Sequence, residues 1–430
     1  MTEHADVDRH HSRLLRLDRR GSAAPFQNAI EALVEQLESL ETGRKRRRKA
    51  PDLERLTETM ETMVADLYLA RADDPELWLG YSRNQNDYIS IPRYRSGRAT
   101  HTTVVIVADF LLAQGYAEHV PGYYRRASDS NEAWTQGGMR SRLRATQRLE
   151  ALLWEDHGAL PDHITTIRNA ELIRLKNSAK EYIDYSETAE TSQMRKELET
   201  INALISKTPI AAPRALEGVN PDQTSMTLYR VFNDGRFDRG GRFYGGWWIN
   251  AKKDHRSQIT INGQPTVELD FSAHHLRLCY HLSGLQPPDQ DDLYALEGTE
   301  GLRKAVKWAV TVLLNLGPGK RMPRPDDKLK DLLRGRMTTA QLRRVVETRY
   351  AEIGDWFGAG RGTELQWIDG RIGSTVLNTL ALNGVACLPV HDSFIVEEQH
   401  RTLLSQTMIE AYSKQVYEQA GHTFLPSVRD

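Results

Sequence analysis

The sequence predicts an α+β protein of several domains, on three observations. The chain has 430 residues, and single hydrophobic cores rarely grow beyond about 250. Its 39% hydrophobic and 27% charged residues are the balance of a globular chain rather than a disordered or membrane-spanning one. Apolar residues recur at helical spacing through much of the first half, and from Tyr229 onward runs with the alternation of strands come in between helices.

Composition removes several function classes. The formal net charge is −1, so any nucleic-acid surface is local and balanced by acidic faces elsewhere. Cys279 and Cys387 lie far apart, each in an apolar run; the expectation is two buried thiols, not a disulfide or zinc cluster. No apolar stretch approaches the roughly 20 residues that span a bilayer, and the first residues are polar without a secretory core. A cytoplasmic protein with no membrane partner is expected.

Residues 1–85 read as a helical region with a basic arm. From Pro25 to Glu41, Phe26, Ile30, Leu33, Leu37 and Leu40 recur on one helical face. The run Arg44-Lys45-Arg46-Arg47-Arg48-Lys49 follows, ended by Pro51; a phosphate-contacting arm and a solvated tether are both compatible with it. Residues 86–157 suggest a winged-helix module: a helix from Val104 to Leu112, Gly115-Tyr116, a short strand and a Ser/Asn/Gly-rich loop. A second helix is expected from Ser141 as N-cap, carrying Arg140, Arg142, Arg144 and Arg148 beside Leu143, Leu149 and Leu152. Such a helix would enter a major groove; an ordinary helical subdomain with a charged face reads equally well. Residues 158–215 read as a helical connector or thumb, helical over 160–206 and closed by Pro209 and Pro213. Residues 216–430 form the last domain.

Four segments of that domain carry the chemistry. The first runs from Asn233-Asp234-Gly235-Arg236 into Gly240-Gly241-Arg242-Phe243-Tyr244, where glycines permit close backbone approach and arginine beside aromatics suits phosphate contact and base stacking. In the second, Val267-Glu268-Leu269-Asp270-Phe271-Ser272, the alternation marks a strand with Asp270 where it yields to a helix, well placed to hold a metal. The third places Arg303, Lys307, Thr311 and Asn315 in one helical stripe. In the fourth, Val390-His391-Asp392-Ser393-Phe394, apolar strands flank a polar turn with Asp392 at the hairpin tip. Two aspartates on neighbouring strands can share a pair of Mg²⁺ ions roughly 3.5–4 Å apart.

In this order the segments resemble the palm of family A DNA polymerases (DNA polymerase I) and of single-subunit phage RNA polymerases, over roughly residues 228–400. The first resembles the Gly-Arg-x-Tyr element, the second motif A, the third motif B and the fourth motif C. The resemblance implies a right-hand polymerase with an antiparallel palm sheet, helical fingers around residues 285–360, and a mainly helical N-terminal region that binds nucleic acid. It implies two Mg²⁺ ions, with Mn²⁺ as a substitute, on Asp270, Asp392 and the Phe271 carbonyl, with His391 in the catalytic turn. Arg303 and Lys307 would hold the incoming nucleoside triphosphate. Thr311 and Asn315 would lie near the nucleotide, and Arg236, Arg242, Tyr244 and Gln366 would contact template or primer.

The sequence departs from the family at two positions. His275 stands where the DNA polymerases carry glutamate and the RNA polymerases glycine, and Asn315 replaces the motif B tyrosine. The bulk of His275 would crowd a 2′-hydroxyl and favour deoxynucleotides, while its imidazole would equally hydrogen-bond that hydroxyl. The expectation is therefore a template-directed polymerase, with the reading tilted to DNA synthesis. The alternatives are a small RNA polymerase or primase of prophage or plasmid origin, or a DNA-binding regulator with a relic palm. His274, His275 and His281 are not read as a metal cluster, and Gly317-Pro318-Gly319-Lys320 lacks the glycine spacing and following Ser or Thr of a phosphate loop.

Overall fold

The computed structural model describes residues 11–41, 48–88, 91–94, 97–123, 140–166, 171–213 and 225–430. They divide into two compact units, the described residues up to Glu171 and those from Leu172 onward, and both mix helix and sheet.

In the first unit the opening strands β1 (Ser12–Leu14) and β2 (Arg19–Gly21) lead into α1 (Ala24–Leu40). Pro25 sits in its first turn, where a missing N–H costs nothing. Phe26, Ile30, Leu33 and Leu37 are buried as their spacing predicts, while Leu40 is 54% exposed. The basic run lies outside the described residues except for Arg48, which pairs with Glu41 at 2.6 Å, and Lys49. Pro51 opens a second helix, α2 (Ala50–Asp73). Next come β3 (Trp78–Tyr81), α3 (His101–Ala113), β4 (Ala117–Val120), β5 (Ser141–Ala145), α4 (Gln147–Ala151) and β6 (Ile164–Thr166). One sheet runs β1-β3-β5-β4, and β2 pairs with β6.

The helix expected from Ser141 is instead the interior strand β5, paired antiparallel to both β3 and β4. Pairing on both sides decided the outcome: two neighbouring strands satisfy the backbone of Ser141–Ala145, and helix begins only at Gln147. On the strand Arg142 and Arg144 fall on one face by alternation, and Arg148 is carried separately on α4. Arg142 is buried, Arg144 pairs with Glu118 and Glu76, Arg140 faces Asp87 at 3.4 Å, and Arg148 lies 5.1 Å over the Tyr116 ring.

In the second unit, residues 172–206 contain less helix than expected. Ile173 and Leu175 bury alternate positions of β7 (Ile173–Leu175), and helix is confined to α5 (Ala189–Ile205). The α5 start is set by Thr188, whose side chain accepts the Thr191 N–H at 3.1 Å. After β8 (Ile210–Ala211), strands β9 (Tyr229–Asn233) and β10 (Arg236–Tyr244) form a hairpin. Its turn residues, Asp234 at φ 58° and Gly235 at φ 68°, have the positive φ pair that two-residue hairpins require. A short helix α6 (Lys253–Arg256) precedes β11 (Thr260–Ile261), β12 (Gln264–Phe271) and α7 (His274–Leu282). The chain then has no strand until after α8 (Arg303–Asn315), α9 (Asp327–Leu333), α10 (Thr339–Arg349) and α11 (Gly362–Leu382). It closes with β13 (Leu388–Val390), β14 (Ser393–Glu397), α12 (Arg401–Ala420) and β15 (Val428–Arg429).

The principal sheet is antiparallel throughout, in the order β13-β14-β12-β11-β8, with β15 also on β12. Leu269, Phe271, Phe394 and Val396 project from one face into the core, where Leu276, Leu404 and Tyr412 of α7 and α12 are also buried. Glu268 and Asp270 occupy the alternate positions and are only half-buried. Cys279 and Cys387 are both free and buried.

Candidate active site

Strand register brings Asp270 and Asp392 together. Asp270 faces Ser393 across β12 and β14, and the Phe271 N–H donates to the Asp392 carbonyl at 3.3 Å. His391, at φ 59°, makes the tight turn that sets Asp392 at the hairpin tip. Burial first, and then repulsion from Asp392, push the Asp270 carboxyl up to about 6, against the opposing charges of Arg429, His274 and Lys307. A carboxyl whose charge is disfavoured by burial and by a neighbouring carboxylate is one that a cation would stabilise.

The donor set fits Mg²⁺. Glu268, the third carboxylate on this face, is occupied by Arg256 at 2.8 Å in a two-pronged pair and by the Ser393 hydroxyl at 2.6 Å. Among the described residues no group of three or more His, Cys, Asp or Glu side chains converges as a cage. Two carboxylates and a backbone carbonyl are hard oxygen ligands that leave positions for substrate phosphates and water, as Mg²⁺ sites usually do.

Helix α8 offers a polar edge. Arg303, Lys307, Thr311 and Asn315 are all exposed, while Ala305, Val306, Ala309, Val310, Leu313 and Leu314 are buried on the other side. The Lys307 charge acts on Asp270, so this stripe starts beside the aspartates. At its far end the side chains bond to the helix's own backbone: the Thr311 hydroxyl donates to the Lys307 carbonyl at 2.9 Å and the Asn315 amide to the Thr311 carbonyl at 2.8 Å.

Tyr294 was not singled out from the sequence. It is 8% exposed, with Arg303 and Lys307 at 5.6 and 5.9 Å from its ring, and burial followed by the charge of Asp392 pushes its phenol up to about 12. It therefore joins the two aspartates to α8 as a neutral hydroxyl. An aromatic following the acidic run Asp289–Asp292 was the signal available in the sequence. Asp292 of that run pairs with Arg303.

Behind the aspartates lies a buried network that local patterns did not disclose. Asp369 of α11 is 4% exposed, accepts from Arg242 Nε at 2.5 Å and lies 3.2 Å from His274 Nε2. Burial alone would raise the Asp369 carboxyl, but Arg242 and His274 outweigh it and hold it far below the usual carboxylate range. Burial likewise opposes the Arg242 charge, and Asp369 and Asp392 outweigh it. Arg242 also reaches His275 Nε2 at 2.8 Å. A guanidinium only donates, so Nε2 accepts and the imidazole proton resides on Nδ1. Burial and the Arg242 charge depress His275 to about 3, which keeps the ring neutral. Close packing of α11 on β10 makes this network, because a Cβ on Gly370 would stand 2.5 Å from the Gly241 carbonyl oxygen.

The other sequence candidates are placed as follows. The Phe271 ring is buried and stacks on His274 at 4.7 Å, leaving only its backbone towards Asp392. His391 stands at the turn, where partial desolvation of its ring, followed by the Arg242 charge, lowers its pKa. Tyr244 stacks on Tyr229 at 6.1 Å, and Gln366 lies one turn before Asp369 on α11. Arg236 is not brought to the site: it begins β10, six positions from Arg242 or roughly 20 Å of extended strand, and binds Asp238 at 2.7 and 2.5 Å.

No family model matches the chain, and no curated protein matches it. Among solved structures it is similar to the POL domain of Pol1 from M. smegmatis, in complex with DNA primer-template and dNTP. The identity is 11% and the TM-score 0.31, over 95% of this chain and 66% of that one. The chain thus spans just under two thirds of the length of that structure. No helix among the described residues is long and apolar enough to cross a membrane.

Proposed function

We propose that the second unit is a template-directed nucleotidyltransferase that adds nucleoside triphosphates to a 3′-hydroxyl, with deoxynucleotides as substrates. The observation that carries this reading is the meeting of Asp270 and Asp392 on adjacent strands beside the exposed cations of α8. When bound, a pair of Mg²⁺ ions supplies charge stabilisation to the attacking and leaving oxygens; Mn²⁺ has the same ligand preference. Asp270, Asp392 and the Phe271 carbonyl would hold them.

The chain's own residues do the rest. Arg303 exchanges its Asp292 partner for triphosphate oxygens, to which a guanidinium is well matched. Lys307 Nζ neutralises the same phosphates and donates a proton to the departing pyrophosphate as the 3′-oxygen bonds to the α-phosphorus, the bond from that phosphorus to the β-phosphate oxygen breaks, and the 3′-hydroxyl proton passes to water. The neutral Tyr294 hydroxyl donates into the same space without adding charge. Arg242, fixed by Asp369, holds His275 against the nucleotide sugar, with Tyr244 and Gln366 along the template and primer side.

One observation favours a second reading, ribonucleotide polymerisation. His275 is locked by Arg242 as a neutral ring with a donor at Nδ1, a suitable partner for a 2′-hydroxyl. The test is incorporation of labelled dNTPs and rNTPs on primed and unprimed DNA and RNA templates, with Asp270→Asn and Asp392→Asn as controls. Incorporation that requires both aspartates supports the proposal. Absence of incorporation under every combination defeats it in favour of nucleic-acid binding alone, and incorporation unchanged in both variants defeats the placing of the chemistry at Asp270 and Asp392.

A further inference from the structure

Strand β15 puts a cation where the sequence motifs foresee none. Arg429 is the antiparallel partner of Asp270 on the edge of β12 opposite β14. Directly paired residues of an antiparallel ladder project on the same face, so its side chain emerges on the Asp270 side. The placement is anchored at both ends. The Ser272 N–H donates to the Ser427 carbonyl at 2.8 Å, and Asp430 accepts from Arg401 of α12 at 2.6 Å through both oxygens.

The Arg429 charge acts on Asp270 and also on Asp292, the partner of Arg303. It therefore looks into the space bounded by the palm-side aspartate and the start of α8. Arg429 is exposed, and among the described residues its guanidinium has no hydrogen-bond or ion-pair partner. Arg303 and Arg401, by contrast, are both paired. A guanidinium held by backbone register beside an acidic pair, with its own donors unspent, is an anion site waiting for phosphate oxygens.

We infer that Arg429 is a third triphosphate-binding residue, gripping the pyrophosphate portion of the incoming nucleotide together with Arg303 and Lys307. The inference rests on the nucleotidyltransferase reading. It makes β15 part of the nucleotide site. An arginine that merely balanced the charge of Asp270 would repel the metal that this aspartate must hold; one that swings onto phosphate as nucleotide and metal arrive together does not.

The experiment uses the full chain and measures equilibrium binding of a fluorescent nucleoside triphosphate and the matching monophosphate. Ca²⁺ replaces Mg²⁺, and wild type is compared with Arg429→Gln and Arg429→Lys. KM and kcat for incorporation are measured in parallel with Mg²⁺. Arg429→Gln should weaken triphosphate binding about ten- to a hundred-fold, the worth of a charge-assisted hydrogen bond. Monophosphate binding should be unchanged, KM should rise more than kcat falls, and lysine should restore part of the loss. Equal triphosphate binding by wild type and Arg429→Gln, or a rise in activity on removing the charge, would overturn the role of Arg429 while leaving the polymerase reading intact. A wild-type protein that binds no triphosphate and incorporates none defeats the polymerase reading itself.

Discussion

Replacing Asp369 by asparagine tests whether the buried network behind the aspartates holds the site together. Asp369 is 4% exposed and its partner Arg242 has a side-chain exposure of 19%, so the substitution leaves a largely desolvated guanidinium without its counter-charge. Removing one partner of such a pair costs about 3–5 kcal/mol. Arg242 retains the His275 nitrogen at 2.8 Å and some attraction to Asp392, which places the expected loss near the lower end, about 3 kcal/mol. For a unit of this size that is a fall in Tm of roughly 6–12 °C. The pH dependence has a definite sign. Because the Asp369 carboxyl is held far below its ordinary value, its stabilisation is complete above about pH 4, the unfolded value, and is lost as pH falls through the folded one. Urea unfolding followed by tryptophan fluorescence should therefore show a constant gap between wild type and Asp369→Asn from pH 8 to about 5 that closes under more acid conditions. A gap below about 1 kcal/mol at pH 7, or one that closes as pH rises, would refute the assignment of Asp369 as the essential counter-charge.

Three further outcomes are expected. Lys307→Ala should leave stability within about 0.5 kcal/mol, since the side chain is exposed, while cutting the incorporation rate about a hundred-fold or more; thermal melts and single-turnover incorporation check both halves. Gly370→Ala should destabilise by about 1–3 kcal/mol, because its Cβ meets backbone atoms of Gly241 at 2.5 and 2.9 Å, and denaturant midpoints would show it. Asp270→Asn should stabilise the metal-free protein at pH 8: the wild-type carboxyl, raised to about 6, loses stability as pH climbs from its unfolded value through that point. The gain, discounted for partial exposure, is about 1–2 kcal/mol, should vanish below about pH 4, and is read from Tm against pH.

Local pattern made much of the second unit legible. Val267 and Leu269 alternate because β12 has one face on the core, and the spacing of Arg303, Lys307, Thr311 and Asn315 followed from the exposed edge of α8. Where helical and strand periods compete, as in Arg142-Leu143-Arg144, a basic helix and an interior strand share one sequence, and pairing with β3 and β4 decided between them. Tyr294 was not legible as a site residue, because nothing within its own segment marks the aspartates it approaches.

The sequence by itself determined the order of the four segments, the strand-end position of Asp270, the hairpin-tip position of Asp392 and the polar stripe of α8. Each depends on residues a few positions apart, whose conformations are set by sterics and by one neighbouring surface. Only the tertiary structure decided that Asp369 neutralises Arg242 across 127 residues and that Arg429 lies beside Asp270. Such contacts are fixed by how whole strands and helices pack, and that packing is a property of the assembled core rather than of any short stretch of chain.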